Sequence, residues 1–456
     1  VIAQVQWHNE LINKYNVSGP RYTSYPTALQ LTDGADGNTL INALNQCQGD
    51  ELSLYIHIPF CHQLCYYCGC NKIVTRHQHK ADLYLDYLGQ EMALLSEHSR
   101  HLKVKQLHLG GGTPTFLDSA QMHRLMTLIN EHFNIASDSE RSIEVDPRAL
   151  PLERIDELKA LGFNRISFGV QDFNDEVQNA VNRPQCAQDV EQLVRRAQAV
   201  GFTSVNVDMI YGLPKQSTAS FARSIARLID IGPDRVSVFN YAHLPERFAA
   251  QRKIKDADLP SAQAKLTMFK ETLSAMLAAG YQFIGMDHFA KPDDELAVAQ
   301  RQGHLHRNFQ GYTLGGDLPL LGLGVSAISQ LGNHIIQNHK ELKLYYQALE
   351  HHILSACKAL TLNDEDHIRA AVIKQLICHF ELDMDAFSNH YHIDFKAHFA
   401  NELAQLQGFI NDDMLSVSGQ HIRVTAKGIL FIRIICMCFD QYLQQKLNQQ
   451  RFSRVI

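Results

Sequence analysis

From Leu54 to about Tyr241, short apolar runs alternate with longer amphipathic stretches. The runs Leu54–Ile58, Gln106–Leu109, Ser142–Val145, Arg165–Val170, Ser204–Ile210 and Arg235–Asn240 are brief and rich in Val and Ile. They predict strands. Between them, 83–95, 120–133, 152–161, 187–200 and 221–231 place apolar residues at helical spacing. Gly162, Gly201 and Gly232-Pro233 supply helix stops. Six β-α units in succession predict a parallel α/β sheet with helices outside. The pattern alone fits both a closed eight-fold barrel and an open doubly wound sheet.

The flanks read differently. Residues 1–50 predict an arm and a short helical region. Within it, Gly19-Pro-Arg21-Tyr-Thr-Ser-Tyr-Pro26 is too aromatic for a free tail and should pack on something, one option being the mouth of an active site. Residues 51–360 predict the catalytic domain with an extension. There His304-Leu-His-Arg307-Asn-Phe309-Gln310-Gly-Tyr312 reads as a polar, aromatic loop. Leu321-Gly-Leu-Gly324 through Ser329 predicts close packing or a wall beside a flat ligand. From 361 to 456 the pattern is mainly helical, with a hairpin at 414–424 and a final helix from Lys427, like a small winged-helix domain.

The chain has 456 residues, 45% of them hydrophobic, enough for a large domain and a smaller one. A net charge of −6 opposes general nucleic-acid binding. So does the last segment, 361–456, with eleven acids and nine bases. A lid or docking role suits that segment better. No run is long and apolar enough to span a membrane, and the polar start shows no secretory signal. Of ten cysteines, six are scattered and read as small buried hydrophobes. That usage fits a reducing cytoplasm. We expect a monomer.

The other four lie in Cys61-His-Gln-Leu-Cys65-Tyr-Tyr67-Cys68-Gly-Cys70, just after Pro59 ends the first strand. A structural zinc site usually takes two well-separated ligand pairs, and a redox C-x-x-C would leave Cys61 unused. An iron–sulfur cluster held by Cys61, Cys65 and Cys68 would leave one iron open to chelate a ligand. Candidate site residues recur at the other strand ends, where α/β barrels carry their chemistry. They are Gly110-Gly111-Gly112-Thr113, Glu144-Val-Asp146, Gln171 with Arg183 after it, Asp208, and Tyr241-Ala242-His243. Gly111 and Gly112 read as a tight turn or as a close backbone approach to a small ligand.

The spacing C-x3-C-x-aromatic-C resembles the signature of radical S-adenosylmethionine (SAM) enzymes. Further blocks extend the likeness across the chain: Arg21–Pro26, Tyr55-Ile-His-Ile-Pro-Phe60, Cys68-Gly-Cys70, Phe239–Pro245, Ile254–Pro260, His306–Tyr312 and Phe452-Ser-Arg-Val455. Together they resemble the oxygen-independent coproporphyrinogen III oxidase (dehydrogenase) family of haem biosynthesis. The resemblance implies an incomplete (βα)6 barrel, with an N-terminal arm and a winged-helix-like C-terminal domain. It implies a [4Fe–4S] cluster on Cys61, Cys65 and Cys68, with Cys70 not a ligand. It implies SAM on Tyr55, Tyr67, Gly111, Gly112, Thr113, Glu144, Gln171, Arg183, Asp208, Ala242 (through backbone) and Ile328 (by apolar contact). Tyr55, Glu144, Phe309 and Gln310 are the candidates at the reacting centre. Arg21, Arg252 or Arg307 would pair with substrate carboxylates.

The implied reaction starts with one-electron cleavage of SAM to methionine and a 5′-deoxyadenosyl radical. The radical takes hydrogen from a propionate β-carbon. Loss of CO2 and one electron leaves a vinyl group. Two propionates of coproporphyrinogen III react, giving protoporphyrinogen IX, so two SAM equivalents are used and one or two bound SAM molecules both fit. An electron donor, such as a flavodoxin-like reductant, and a final acceptor are required partners. A related haem chaperone shares the barrel and three cysteines. By resemblance it lacks the Arg21–Pro26 arm and the Cys68-Gly-Cys70 ending, both present here.

Overall fold

A computed structural model describes residues 5–443; Phe452-Ser-Arg-Val455 lies outside them. The chain forms two compact units, one of Leu31–Met268 with Asp317–Thr361, the other of the remaining segments.

The first unit is built on six parallel strands in chain order: β1 (Glu51–Ile58), β2 (Lys103–Gly111), β3 (Asn134–Val145), β4 (Arg165–Gln171), β5 (Ser204–Tyr211) and β6 (Arg235–Asn240). Helices α1 (His79–Ser99), α2 (Ser119–His132), α3 (Glu153–Ala160), α4 (Asp175–Ala180), α5 (Ala187–Ala199) and α6 (Thr218–Ile231) connect them. This is the six-unit α/β partial barrel. The sheet also continues past β1. A seventh parallel strand, β7 (Leu320–Leu323), pairs with β1, and antiparallel strands Ile328–Leu331, His334–Asn338, Ala356–Thr361 and Thr32–Asp33 follow it outward.

Burial explains the element choice. Leu52, Leu54, Ile56 and Ile58, which share one face of β1, are all fully buried, as expected of a face covered by helices. Leu85, Leu88, Met92 and Leu95 form the buried stripe of α1. Each such side chain contributes on the order of 2 kcal/mol. Helix ends follow local chemistry. Asp118 and Gln121 form a capping box on α2, Ser217 and Ser220 form one on α6, and Gly232 closes α6 at φ 70°.

Two expectations need correction here. Strand β3 begins at Asn134, eight residues before the apolar run, because its first two-thirds is polar and half-exposed. Cys61 is not in a loop: Phe60–Cys61 is a short strand paired in parallel with Ile73–Val74.

In the second unit, helix Asp364–His379 leads to a small antiparallel sheet of Glu381–Asp383, His421–Val424 and Leu415–Ser418, with the helices Met384–Tyr391 and Ala400–Asn411 between its strands. That is the winged-helix-like arrangement. The segment read as a loop is instead a hairpin, His306–Asn308 with Gly311–Thr313. Its strands are three residues long and polar, so no alternation was visible. The arm packs within this unit. Tyr22 and Tyr25 are buried, Tyr22 Oη donates to Asp440 Oδ2 at 2.9 Å, and Arg433 Nε donates to the Pro20 carbonyl at 2.8 Å.

Candidate active site

The C-terminal ends of β1 to β5 surround a cavity of about 220 Å³ in the first unit. Cys61, Cys65 and Cys68 enter it from one side, all three as free thiols. The loop that carries them is anchored by Tyr66 and Tyr67, which pack on the buried cluster of Val177, Val181, Ile210, Leu213, Tyr241 and Ile254. Tyr66 N–H donates to the Val181 carbonyl at 3.0 Å, and Asn182 Nδ2 donates to the Leu64 carbonyl at 2.7 Å. The aromatic between the second and third cysteines is thus a packing anchor that also lines the cavity.

Each sulfur has a different neighbour. Cys61 Sγ lies 3.5 Å from Thr113 Oγ1. Cys65 Sγ accepts from Arg183 at 3.3 Å and from Arg148 at 3.5 Å. Cys68 Sγ accepts the Cys70 backbone N–H at 3.5 Å. The Cys68 thiol is drawn down to about 6, first by the Cys70 thiol beside it, against the pull of burial, and then by the Lys72 ammonium. Cys70 also lines the cavity.

Beside Cys61, the glycine turn comes very close to the cluster strand. A Cβ on Gly112 would stand 2.6 Å from the Pro59 carbonyl oxygen, and one on Gly111 (φ 119°) would stand 2.7 Å from the His57 ring. Gly111 N–H donates to Glu144 Oε2 at 3.2 Å. His108 Nε2 lies 3.5 Å from the other Glu144 oxygen, and its Nδ1 lies 2.5 Å from Ser142 Oγ. The surrounding protein disfavours charge on Glu144, but His108 and the Gly111 N–H outweigh it and hold the carboxyl below its usual range. Asp208 shows the reverse balance. Burial raises it even though Ser167 Oγ (3.0 Å) and Asn206 Nδ2 (2.8 Å) donate to it.

Gln171 ends β4 at φ 73°, and its buried side-chain oxygen makes no hydrogen bond within the protein. A strained residue holding an unsatisfied acceptor in a cavity is arranged for a ligand's donor.

Thus Tyr67, Gly111, Gly112, Thr113, Glu144, Gln171, Arg183 and Asp208 line one cavity with the three cysteines. Tyr55 stands behind the wall. Its ring stacks on His108 and its hydroxyl lies 3.0 Å from His57 Nδ1. Ala242 lies in the loop after β6, and Ile328 opens the antiparallel strand after β7; neither is in the lining. Phe309 and Gln310 form the turn of the hairpin in the second unit. Beyond the residues chosen from the sequence, the structure adds His57, His108 and Arg148 to the surroundings of the site. His57 and His108 each lie on a strand facing a chosen residue, a signal available from the period of two.

The fold and site define a radical SAM enzyme, and the family model for the radical SAM superfamily matches residues 55–228. A second model, the HemN C-terminal domain, matches residues 362–431. The chain belongs to the oxygen-independent coproporphyrinogen III oxidase family. It is 56% identical to the Salmonella typhimurium protein of that name over 453 residues, 99% of each chain. It is 55% identical to the Escherichia coli K12 protein over all of both chains, and 48% identical to the Pseudomonas aeruginosa one, again over 100% of each. A solved structure of E. coli coproporphyrinogen III oxidase (HemN), a radical SAM enzyme, superposes with TM-score 0.93 at 53% identity, covering 96% of this chain and 100% of that one.

The cofactors of this class are a [4Fe–4S] cluster and SAM, and the chemistry of the cavity's lining suits each. Among the described residues, no three His, Cys, Asp or Glu side chains converge as on a single ion. Three separate thiols around one cavity suit a multi-iron group that bonds each sulfur to a different iron. The glycine cradle, the orphaned Gln171 oxygen and the two carboxylates suit a small zwitterion that carries a ribose. No helix among the described residues is long and apolar enough to cross a membrane.

Proposed function

We propose that this chain oxidatively decarboxylates two propionates of coproporphyrinogen III to vinyl groups, giving protoporphyrinogen IX without oxygen. The observation that carries this is the set of free thiols Cys61, Cys65 and Cys68 lining one cavity with the Gly111–Thr113 turn, in a chain matched end to end by oxidases of that name.

Cys61, Cys65 and Cys68 would hold the cluster. Gly111, Gly112, Glu144, Gln171, Arg183 and Asp208 would hold SAM. When bound, this pair supplies the one-electron chemistry that removes a hydrogen atom from carbon. The chain's own residues do the rest. The bare glycine backbone lets the ligand approach closely. Glu144 stays ionised, held by His108 and Gly111, and so accepts from ribose hydroxyl or ammonium donors. The Gln171 side-chain oxygen accepts a further donor. Tyr55 and His57 buttress His108 from behind. An external low-potential electron donor, flavodoxin-like in chemistry, and a final electron acceptor complete the reaction. Phe309 and Gln310 are proposed as substrate contacts.

Anaerobic turnover of the reconstituted protein with reductant, SAM and coproporphyrinogen III tests the reading. Stepwise loss of two carboxyl groups, with two 5′-deoxyadenosines per product, is expected. SAM cleavage with an unchanged tetrapyrrole, or tight haem binding with neither cleavage nor product, would overturn it.

A further inference from the structure

Arg148 follows Asp146-Pro147 at the end of β3 and is almost wholly engaged. Its Nε donates to both Asp146 oxygens at 2.9 and 3.0 Å, and Nη2 donates to Asp146 Oδ2 at 2.5 Å and to Cys65 Sγ at 3.5 Å. Its Nη1 donates to Gln63 Oε1 at 3.0 Å and to the Asn182 carbonyl at 3.5 Å. Gln63 belongs to the cysteine loop itself, and Gln63 Nε2 donates on to Asn182 Oδ1 at 3.1 Å. Arg183 reaches the same carboxylate, donating to Asp146 Oδ1 at 3.1 Å and Oδ2 at 3.3 Å, to the Gly169 carbonyl at 2.5 Å and to Cys65 Sγ at 3.3 Å. One carboxylate therefore orders two guanidiniums, and a net positive charge of one remains beside a single sulfur. Among the described residues, neither Cys61 Sγ nor Cys68 Sγ receives an arginine hydrogen bond.

We propose that Arg148 is a positioning residue that sets the reduction potential of the cluster through Cys65, the sulfur on which its hydrogen bond and that of Arg183 converge. The physical basis is general. Reduction adds negative charge to a cluster, and hydrogen bonds and cationic groups at its sulfurs stabilise that charge and raise the potential. The planar fork of arginine reaches a carboxylate and a sulfur together, which the point charge of lysine cannot do. Arg148 also ties Cys65 to the Asn182–Arg183 turn, so the charge is held in place by the loop it acts on.

The inference rests on the cluster assignment above, and its test separates the two. The reconstituted full-length protein, its R148Q variant and its R148K variant are titrated under EPR for the midpoint potential, with iron and sulfide measured alongside. A wild-type chain that takes up no [4Fe–4S] cluster would defeat the functional reading itself. With the cluster present, R148Q is expected to reduce about tenfold less favourably, a shift of about 59 mV to more negative potential for a one-electron couple. R148K is expected to shift in the same direction by a smaller amount, and it carries the test if R148Q assembles poorly. A wild-type midpoint in the variants at full iron content would overturn the proposal, because a merely structural role alters occupancy and leaves the potential where it was.

Discussion

Glu91 on α1 accepts the backbone N–H of Gly324 at 2.7 Å. The same buried carboxylate accepts Tyr345 Oη and Asn338 Nδ2, each at 2.7 Å. It ties the turn after β7 to the helix that follows the cysteine loop. Two turns earlier, Tyr84 Oη donates to the His57 carbonyl at 2.7 Å and accepts Val325 N–H at 3.1 Å. Gly324 is required there, since a Cβ would stand 2.8 Å from the His57 carbonyl oxygen.

Burial raises Glu91 from 4.5 to about 7 against the pull of its three donors. The folded state therefore binds this proton more tightly than the unfolded chain. The associated stability is fully present below pH 4.5 and is lost as pH rises through about 7. About 3 kcal/mol is at stake over that window. Denaturant midpoints measured from pH 4.5 to 8 should fall in the wild type and fall less in E91Q. The variant should also be weaker overall, because its amide meets N–H and O–H donors. Equal slopes would remove Glu91 as the source.

Cys70 lines the same cavity as the three thiols, so its exclusion from the cluster is a real test. C61S, C65S and C68S should each fail to retain a full [4Fe–4S] cluster on anaerobic reconstitution, while C70S should keep its iron and sulfide. Iron loss in C70S equal to that in C68S would make it a ligand.

Gly112→Ala should cost ~2 kcal/mol or more, because its Cβ would stand 2.6 Å from the Pro59 carbonyl and backbone cannot give way as a side chain can. Relief would push the Gly111–Thr113 turn away from the cysteine loop. Thermal unfolding and SAM affinity should fall together. Wild-type SAM affinity in G112A would mean that the close approach is dispensable.

Of the three arginines proposed for substrate carboxylates, Arg21 already forms an ion pair with buried Asp287. Arg252 is exposed, with its Nε on the Pro245 carbonyl. Arg307 lies over the Tyr312 ring at 4.7 Å and keeps a buried Nη1 without a partner in the protein. R307Q should raise KM for coproporphyrinogen III about tenfold, and R252Q should leave it near wild type. The opposite ranking would discard Arg307.

Much of the first unit was legible in the chain because its strands place buried apolar residues at every second position, a period that the sequence displays. Leu54–Ile58 and Ser204–Ile210 announced themselves that way. Where a strand is polar, as in the first part of β3, or only three residues long, as at His306–Asn308, the pattern carries no signal and pairing alone makes the strand.

The sequence by itself determined the cysteine spacing, the glycines and the acids at successive strand ends, since strand-end position follows from the order of elements along the chain. Only the tertiary structure decided which groups meet. That Arg183 joins Arg148 on Asp146 and both reach Cys65, that Tyr55 supports Glu144 through His108, and that Glu91 holds Gly324 depend on neighbours distant in the chain, by as much as 233 residues for Glu91 and Gly324. Such partners carry no spacing rule. The pairing of strands brings them together, and the cost of leaving a buried charge unpaired keeps them there.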